Sequence, residues 1–387
     1  MASLDDAYNI FDLRDMAKAR LPRWLFEFVD RGTEDEVALR NNRAAFERIK
    51  LKPRVLRDVS PRKLDTTVFG KTHKLPIGIA PTGAAGMMWY QGELELAKAA
   101  AAAGMPFTLA TGSITSMETI AREAPGTLWM QLYMFPDRAL SLELVKRAEG
   151  AGFEALLVTV DTAVSGNREY NHRNGYTVPF SYNARNTVDV LTHPGWLFGT
   201  LGRYIANGGM PKHANYPESI RKKLGGGFGA AGRRNDTLTW DDLKVLRDNF
   251  KGKLLAKGIL HPADAEMAIA CGADGVVVSN HGGRCLDSSM APIDVLPEIV
   301  RAVGSKTTVI VDSGFRRGSD VVKAMALGAD LVLVGRGTLY GTAAAGGPGA
   351  AKAIQFYREE IGRVMALCGA TSIDQLTPEL LDYVKGG

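Results

Sequence analysis

The 387-residue sequence predicts an α/β protein: a (β/α)8 barrel of the TIM type with a helical cap at its N-terminus and a long insertion after the fourth strand. Three observations predict it. Eight short apolar runs of β character recur along the chain, at 77–82, 106–111, 128–133, 156–161, 253–257, 275–279, 308–312 and 331–336. Segments of helical periodicity lie between them, at 93–103, 139–148, 263–270 and 319–327, and this alternation is the signature of a parallel sheet. Every run also ends in an amide, a hydroxyl or an ionisable group, as a barrel requires if its chemistry gathers at the carboxyl ends of its strands.

Taken in order, the elements begin with 5–52, which precede the first strand. This stretch has helical spacing, and Leu21-Pro22 opens a helix towards Val29, proline being suited to a first helical turn. It reads as a cap over one barrel end. The eight strand ends then run Pro81-Thr82-Gly83, Ala110-Thr111, Gln131-Leu132-Tyr133, Thr159-Val160-Asp161, Lys257-Gly258, Ser279-Asn280-His281, Asp312-Ser313-Gly314 and Gly335-Arg336. Between the fourth and fifth, 181–236 far exceed the roughly 2–6 residues of an ordinary α/β loop and form an insertion, with a flexible glycine-rich stretch at 225–232. After Gly349 a helix to about Leu367 closes the barrel. Residues 372–384 look like a helical extension that packs on the body or on a neighbouring subunit. The whole of 1–387 reads as one domain, with 181–236 inserted in it.

The segment Val276-Val277-Val278-Ser279-Asn280-His281-Gly282-Gly283-Arg284 carries the sharpest chemical signal. An imidazole can take a proton while a guanidinium three residues on holds a carboxylate. Either residue alone says little, since a single histidine is usually a structural hydrogen-bonder. The last two strand ends add Asp312-Ser313-Gly314-Phe315-Arg316-Arg317-Gly318 and Gly335-Arg336-Gly337. Each alone is read as a tight turn with solvated arginines. Together, in the final two units, they favour a phosphate-bearing ligand held by backbone N–H groups at a helix start.

With these residues in place, the sequence resembles the FMN-dependent L-2-hydroxy acid oxidases and dehydrogenases, the family of glycolate oxidase, mandelate dehydrogenase and respiratory L-lactate dehydrogenase. The resemblance runs from Arg20-Leu21-Pro22 to Cys368-Gly369, and Ser-Asn-His-Gly-Gly-Arg is its most specific motif. It implies that His281 is the base, that Asp161 stabilises its imidazolium, that Arg168 and Arg284 bind the substrate carboxylate, and that Tyr133 lies near the substrate hydroxyl. It further implies that Pro81, Thr82, Gly83, Gln131, Thr159, Lys257 and Ser279 hold the flavin ring, and that Asp312, Gly314, Arg316, Gly335 and Arg336 take the ribityl and phosphate portions of FMN. No metal is implied. The physical logic agrees, because a 2-hydroxy acid is an anion that needs fixed positive charge and a base of near-neutral pKa.

Three positions depart from the family pattern. Phe28 stands where many members carry a tyrosine that hydrogen-bonds the substrate carboxylate, Ala110 replaces a serine that contacts the flavin, and Cys285 replaces the glutamine after the arginine of His-Gly-Gly-Arg. Gly112 falls where short-chain glycolate oxidases have a tryptophan, which leaves room for lactate, an aryl acid such as mandelate, or something larger. The implied reaction is oxidation of the acid to a 2-keto acid, with electrons passed to a quinone or another acceptor. An oxygen-using oxidase that makes peroxide is the alternative, and a barrel isomerase with a phosphate site is a more distant one.

Composition is that of an ordinary globular chain, 45% hydrophobic and 23% charged. Cys271, Cys285 and Cys368 are too few and too scattered for a disulfide framework or a metal site, and they suit a reducing compartment. Met1-Ala2-Ser3-Leu4-Asp5-Asp6 reads as no secretory signal. The formal charge of +5 resides in the insertion, where Arg185, Arg203, Lys212, Arg221, Lys222, Lys223, Arg233 and Arg234 face Asp189, Glu218 and Asp236. An apolar cluster, Trp196, Leu197, Phe198, Leu201, Tyr204 and Ile205, accompanies them. Such a segment serves either as a surface that docks on anionic lipid or as an active-site lid with a solvated basic face. In the resembling lactate and mandelate dehydrogenases this insertion is the membrane-facing element, and both readings stay open; the protein is read as cytoplasmic, free or peripheral on the inner face of the cytoplasmic membrane, and the resemblance implies a homotetramer. No nucleic-acid-binding motif accompanies the charge.

Overall fold

The computed structural model describes residues 3–175, 183–220 and 236–383. The cap consists of three helices. α1 (Ile10–Arg20) starts where the Asn9 side chain accepts the N–H groups of Phe11 and Asp12 while Asp12 accepts that of Asn9, a reciprocal cap. Pro22 then sets the entry to α2 (Arg23–Asp30), which buries Trp24, Leu25, Phe26 and Val29. α3 (Val37–Arg48) begins against the buried Asp287 carboxylate, which accepts the N–H groups of Asp35 and Ala38, both at 3.1 Å.

Three short strands follow: β1 (Ile49–Leu51), then the hairpin of β2 (Thr66–Val68) and β3 (Lys71–His73). The barrel is built from β4 (Ile77–Ile79), β5 (Phe107–Ala110), β6 (Leu128–Leu132), β7 (Ala155–Thr159), β8 (Lys253–Ile259), β9 (Gly275–Val278), β10 (Thr308–Val311) and β11 (Leu331–Val334). They pair in chain order, all parallel, and β11 closes on β4. All eight expected strands are present. Their apolar runs are continuous because each strand is covered on both faces. Trp129, Leu157, Leu255, Val277, Ile310 and Leu333 fill an inner cluster, each such side chain contributing about 1.5–3 kcal/mol. Phe69 of the hairpin packs edge-on against Trp129 near the start of β6, so the hairpin sits at the amino-terminal end, opposite the site.

The pairing of β8 with β9 is irregular at the carboxyl ends of the strands. Its register shifts between Lys257 and Ile259, and Gly258 there has φ +111°. A β-carbon on Gly258 would lie 2.6 Å from that of Asp161, so glycine lets the two strand ends meet.

The expected helices appear as Gly92–Ala103, Arg138–Gly150, Pro262–Ala270 and Gly318–Ala326. Helical structure at the C-terminus starts earlier than expected, at Arg336, and breaks at Ala345–Gly346 before continuing past Pro348 to Leu367. The tail overturns the expected helical extension. It forms two 3-10 turns, Ile373–Gln375 and Pro378–Leu380, followed by β12 (Leu381–Tyr383), which pairs antiparallel with β1. The buried Ile373, Leu376, Leu380 and Leu381 have helix-like spacing because consecutive tight turns reproduce it, while Pro378 lacks the N–H that a continuing helix needs and β1 offers an open edge. Val384 lies outside the described residues.

The described part of the insertion carries helices Ala184–Leu191, Pro194–Trp196 and Arg203–Ala206, the last two joined by a π-helical turn, Leu197–Gly202. The glycine-rich stretch 225–232 and the basic residues Arg221, Lys222, Lys223, Arg233 and Arg234 fall outside the described residues. Among the described residues, no helix is long and apolar enough to cross a membrane.

Candidate active site

The strand ends open into one cavity of about 950 Å³, within the range of cofactor and ligand sites. Pro81, Thr82, Gly83, Gln131, Thr159 and Lys257 line it, as do Asp312, Gly314, Arg316, Gly335 and Arg336. Phe28, Gly112, Tyr133, Arg168, His281 and Arg284 line it as well. Two expected site residues stand one layer back. Asp161 buttresses His281, and the fully buried Ser279 accepts a hydrogen bond from Lys257 Nζ at 2.9 Å.

His281 occupies the turn after β9 with φ +58°, a conformation that disfavours a side chain and marks stored strain. Ser279 Oγ accepts its N–H at 3.1 Å. The imidazole Nδ1 lies 3.0 Å from Asp161 Oδ1, and Nε2 lies 3.2 Å from the Tyr133 hydroxyl. A carboxylate at Nδ1 keeps the proton there, which leaves the Nε2 lone pair towards the cavity. Burial pushes the imidazole below its ordinary pKa, with Asp161 opposing, so the ring is a neutral base at physiological pH.

Around this base the cap and the barrel share their cations. Arg284 donates to the carbonyls of Phe28 at 2.7 Å and Arg31 at 3.0 Å, and its guanidinium lies 5.2 Å from the Phe28 ring centre. Arg336 donates to Val29 at 2.7 Å, Gly282 at 2.9 Å and Arg31 at 3.0 Å. The carbonyls ending α2 are thus capped by two arginines from the barrel. Arg168 Nε reaches the Arg284 carbonyl at 3.4 Å. Burial, then the proximity of Arg168 and Arg336, lowers the Arg284 pKa, yet a guanidinium stays charged in proteins. The crowding therefore favours an anion bound between these groups.

Lys257, 5% exposed, pairs with Asp312 at 2.9 Å. Burial alone would lower its pKa, but Asp312 and Asp161 outweigh it and hold the ammonium charged. Gln131 is fixed from both sides, donating to Thr159 Oγ1 at 2.9 Å and accepting from the Thr111 N–H at 3.1 Å. The two glycine-containing turns differ. At the start of helix Gly318–Ala326, Gly318 N–H donates to Glu360 and those of Arg316 and Arg317 to Asp320, so this helix end is satisfied within the protein. The helix opening at Arg336 has no side-chain cap and remains able to take an anion.

Sequence reasoning missed part of the wall. Trp24, Met87, Ile114, Met210 and His213 also line the cavity. The His213 Nδ1 lies 3.0 Å from the Gly112 carbonyl and its ring stacks on Tyr216 with centroids 4.7 Å apart. Nothing in the local sequence marks His213, because its approach to Gly112 depends on how the insertion folds back. The insertion's apolar cluster divides. Trp196 packs edge-on against Trp24 and donates to the Met87 carbonyl at 2.7 Å, Leu197 and Leu201 face the cavity, and Phe198 and Ile205 point outward.

A barrel that gathers a carboxylate-buttressed imidazole, clustered guanidinium groups and a buried ammonium around one cavity is suited to an enzyme that handles an anion beside a phosphate-bearing cofactor. The profile of the FMN-dependent dehydrogenases matches residues 17–383, and the chain belongs to that family. It is 41% identical over 375 residues to the (S)-mandelate dehydrogenase of Pseudomonas putida, covering 97% of this chain and 93% of that protein. It is 40% identical over 372 residues to an L-lactate dehydrogenase of Caulobacter sp. (strain K31), covering 96% and 97%. A crystal structure of a monotopic membrane protein, (S)-mandelate dehydrogenase, superposes with a TM-score of 0.92 at 40% identity, over 98% of this chain and all of the other. The cofactor is accordingly FMN. The donor set fits it: apolar and amide groups at strand ends suit a flat ring, the charged Lys257 suits a ring that gains negative charge, and the uncapped helix start at Arg336 suits a phosphate.

Proposed function

We propose that this chain oxidises an L-2-hydroxy acid with a bulky, mandelate-like substituent to the 2-keto acid. The observation that carries the proposal is the contact series Asp161–His281–Tyr133, whose last two members line the cavity together with Arg168 and Arg284. The carboxylate binds between Arg168 and Arg284, which orient it as well as attract it. His281 Nε2 takes the substrate's proton, Asp161 stabilises the resulting imidazolium, and the Tyr133 hydroxyl positions the substrate oxygen. Bound FMN supplies the two-electron acceptor. Pro81, Thr82, Gly83, Gln131 and Thr159 would seat the flavin ring, with the charge of Lys257, steadied by Ser279, beside it, and Asp312, Gly314, Arg316, Gly335 and Arg336 would hold the chain and phosphate. Gly112, with no side chain, and the apolar Trp24, Met87 and Leu201 give the substituent its space.

The electron acceptor we infer is a membrane quinone, reached by docking on an anionic membrane surface. Val188, Leu191, Phe198 and Ile205 are exposed on the insertion beside the exposed Arg185, Arg203 and Lys212, a composition that suits the headgroup boundary. Solved mandelate oxidases 35% identical to this chain support an oxygen-using second reading. A homotetramer remains an inference from the resemblance, to be read by light scattering.

The test is to add (S)-mandelate, L-lactate and a longer L-2-hydroxy acid, one at a time and without oxygen, to the yellow protein. Bleaching of the flavin fastest with mandelate is expected, and a flavin that none of them bleaches overturns the substrate class. Readmitting air separates the acceptors: rapid peroxide formation supports the oxidase, and slow reoxidation that a soluble quinone accelerates supports the dehydrogenase. Anionic vesicles should retain the protein but not a Phe198→Asp, Ile205→Asp variant.

A further inference from the structure

Cys285 takes no part in the proposed chemistry, yet the fold carries it to the base. Its Sγ, an imidazole nitrogen of His281 and a carboxylate oxygen of Asp161 all lie within 4.8 Å of one another, and all three residues are partly buried. The cysteine count alone argued against a metal site, because spacing along the chain cannot show that the turns after β7 and β9 converge. The glutamine that the family pattern places after the arginine would supply no such ligand.

We propose that Asp161, His281 and Cys285 form a site for a thiophilic divalent cation, zinc or cadmium, and that its occupation stops the reaction. Thiolate, imidazole and carboxylate are the ligand types that zinc takes, at about 2.0–2.3 Å, with a fourth position left open. Drawing three atoms from within 4.8 Å of one another onto one ion needs side-chain shifts of about 1 Å, well short of a backbone change. Charge selects the ion. Arg168, Arg284 and Lys257 bear on this corner and disfavour a bare cation, but a carboxylate and a thiolate together neutralise a divalent one. Magnesium and calcium prefer sets of oxygen ligands, which this site lacks.

The inhibition follows from the tautomer. Nδ1 faces Asp161 at 3.0 Å, so the cation takes the Nδ1 lone pair. The imidazole proton then resides on Nε2, and the Cys285 thiol proton is released to solvent. With Nε2 protonated, the ring can no longer accept the substrate's proton. This consequence rests on the proposed role of His281, whereas the site itself does not.

Cadmium chloride added to the flavin-loaded protein tests both. One equivalent should bind with an ultraviolet thiolate-to-cadmium charge-transfer band, and anaerobic bleaching by the active 2-hydroxy acid should slow by about 10²–10⁴, the range ascribed to a positioned base. Cys285→Ser and Cys285→Gln should lose the band and keep bleaching at the untreated rate with or without cadmium. A band that persists in both variants, or equal inhibition of variants and parent, overturns the site. Cadmium bound through Cys285 with bleaching undiminished shows that the ion does not reach His281 and overturns the inhibition. If no acid bleaches the flavin before cadmium is added, the proposed function fails, and the band alone decides the site.

Discussion

His281 shows how much a single residue depends on its neighbours. Its left-handed backbone turns the imidazole between Asp161 and Tyr133, and each contact fixes one ring nitrogen. Asp161→Asn should reverse the tautomer, because the amide donates to Nδ1 and forces the proton onto Nε2. Flavin binding should persist while the rate of flavin reduction falls by about 10²–10⁴, the range ascribed to a positioned base; a smaller loss in stopped-flow would show that Asp161 does not set the tautomer. Phe28 makes the opposite case. It lines the cavity beside Arg284 without a polar atom, so Phe28→Tyr adds a donor for the carboxylate. A hydrogen bond to a charged group contributes about 1.5–3 kcal/mol, and kcat/KM should rise by about 10- to 100-fold, mostly through KM. An unchanged KM would mean that the substrate carboxylate lies beyond reach of position 28.

At the scale of elements, the insertion is joined to the barrel through a few buried polar contacts. Arg20, at the end of α1, donates to the carbonyls of Met88 at 2.8 Å and Ala343 at 3.2 Å and to Thr200 Oγ1 at 3.1 Å, and it stacks over Trp89. One guanidinium thus connects the cap, the loop after β4, the last helix and the π-helical turn. Arg20→Ala leaves these acceptors without their donor at about 1–3 kcal/mol for each that stays unsatisfied. Trypsin should then cut the insertion much faster while the barrel resists; equal cutting rates would show that the contacts of Trp196 with Trp24 and Met87 suffice. None of these links was legible in the sequence, since a buried arginine and a solvated one look alike there. The barrel strands were legible because burial on both faces writes itself as an unbroken apolar run, and the strand-end chemistry followed from them. The tail misled because two tight turns repeat the spacing of a helix, and His213 and Cys285 acquire their meaning only from distant chain segments.

At the scale of the whole molecule, the cap holds the site together from outside, and a partly buried ion pair adds to the apolar packing that attaches it. Asp30, at the end of α2, accepts from Arg14 of α1 at 2.7 and 2.6 Å and from the Tyr340 hydroxyl of the last helix at 2.6 Å. Burial pushes this carboxyl up, but the hydrogen bonds from Arg14 and Tyr340 outweigh it and hold the pKa below the ordinary range. The folded state thus prefers the carboxylate, and the unfolded chain binds the proton first, near pH 4. The stability this residue contributes is complete above that pH and is lost as pH falls through the lower folded value. The carbonyls that Arg284 and Arg336 cap belong to the same end of α2, so loosening Asp30 should loosen the walls of the cavity as well. Melting curves of the parent and of Asp30→Asn should therefore lie several degrees apart at pH 7 and converge below pH 4, with FMN released from the variant at a lower temperature. Parallel curves across that range would show that the three elements are held by packing alone.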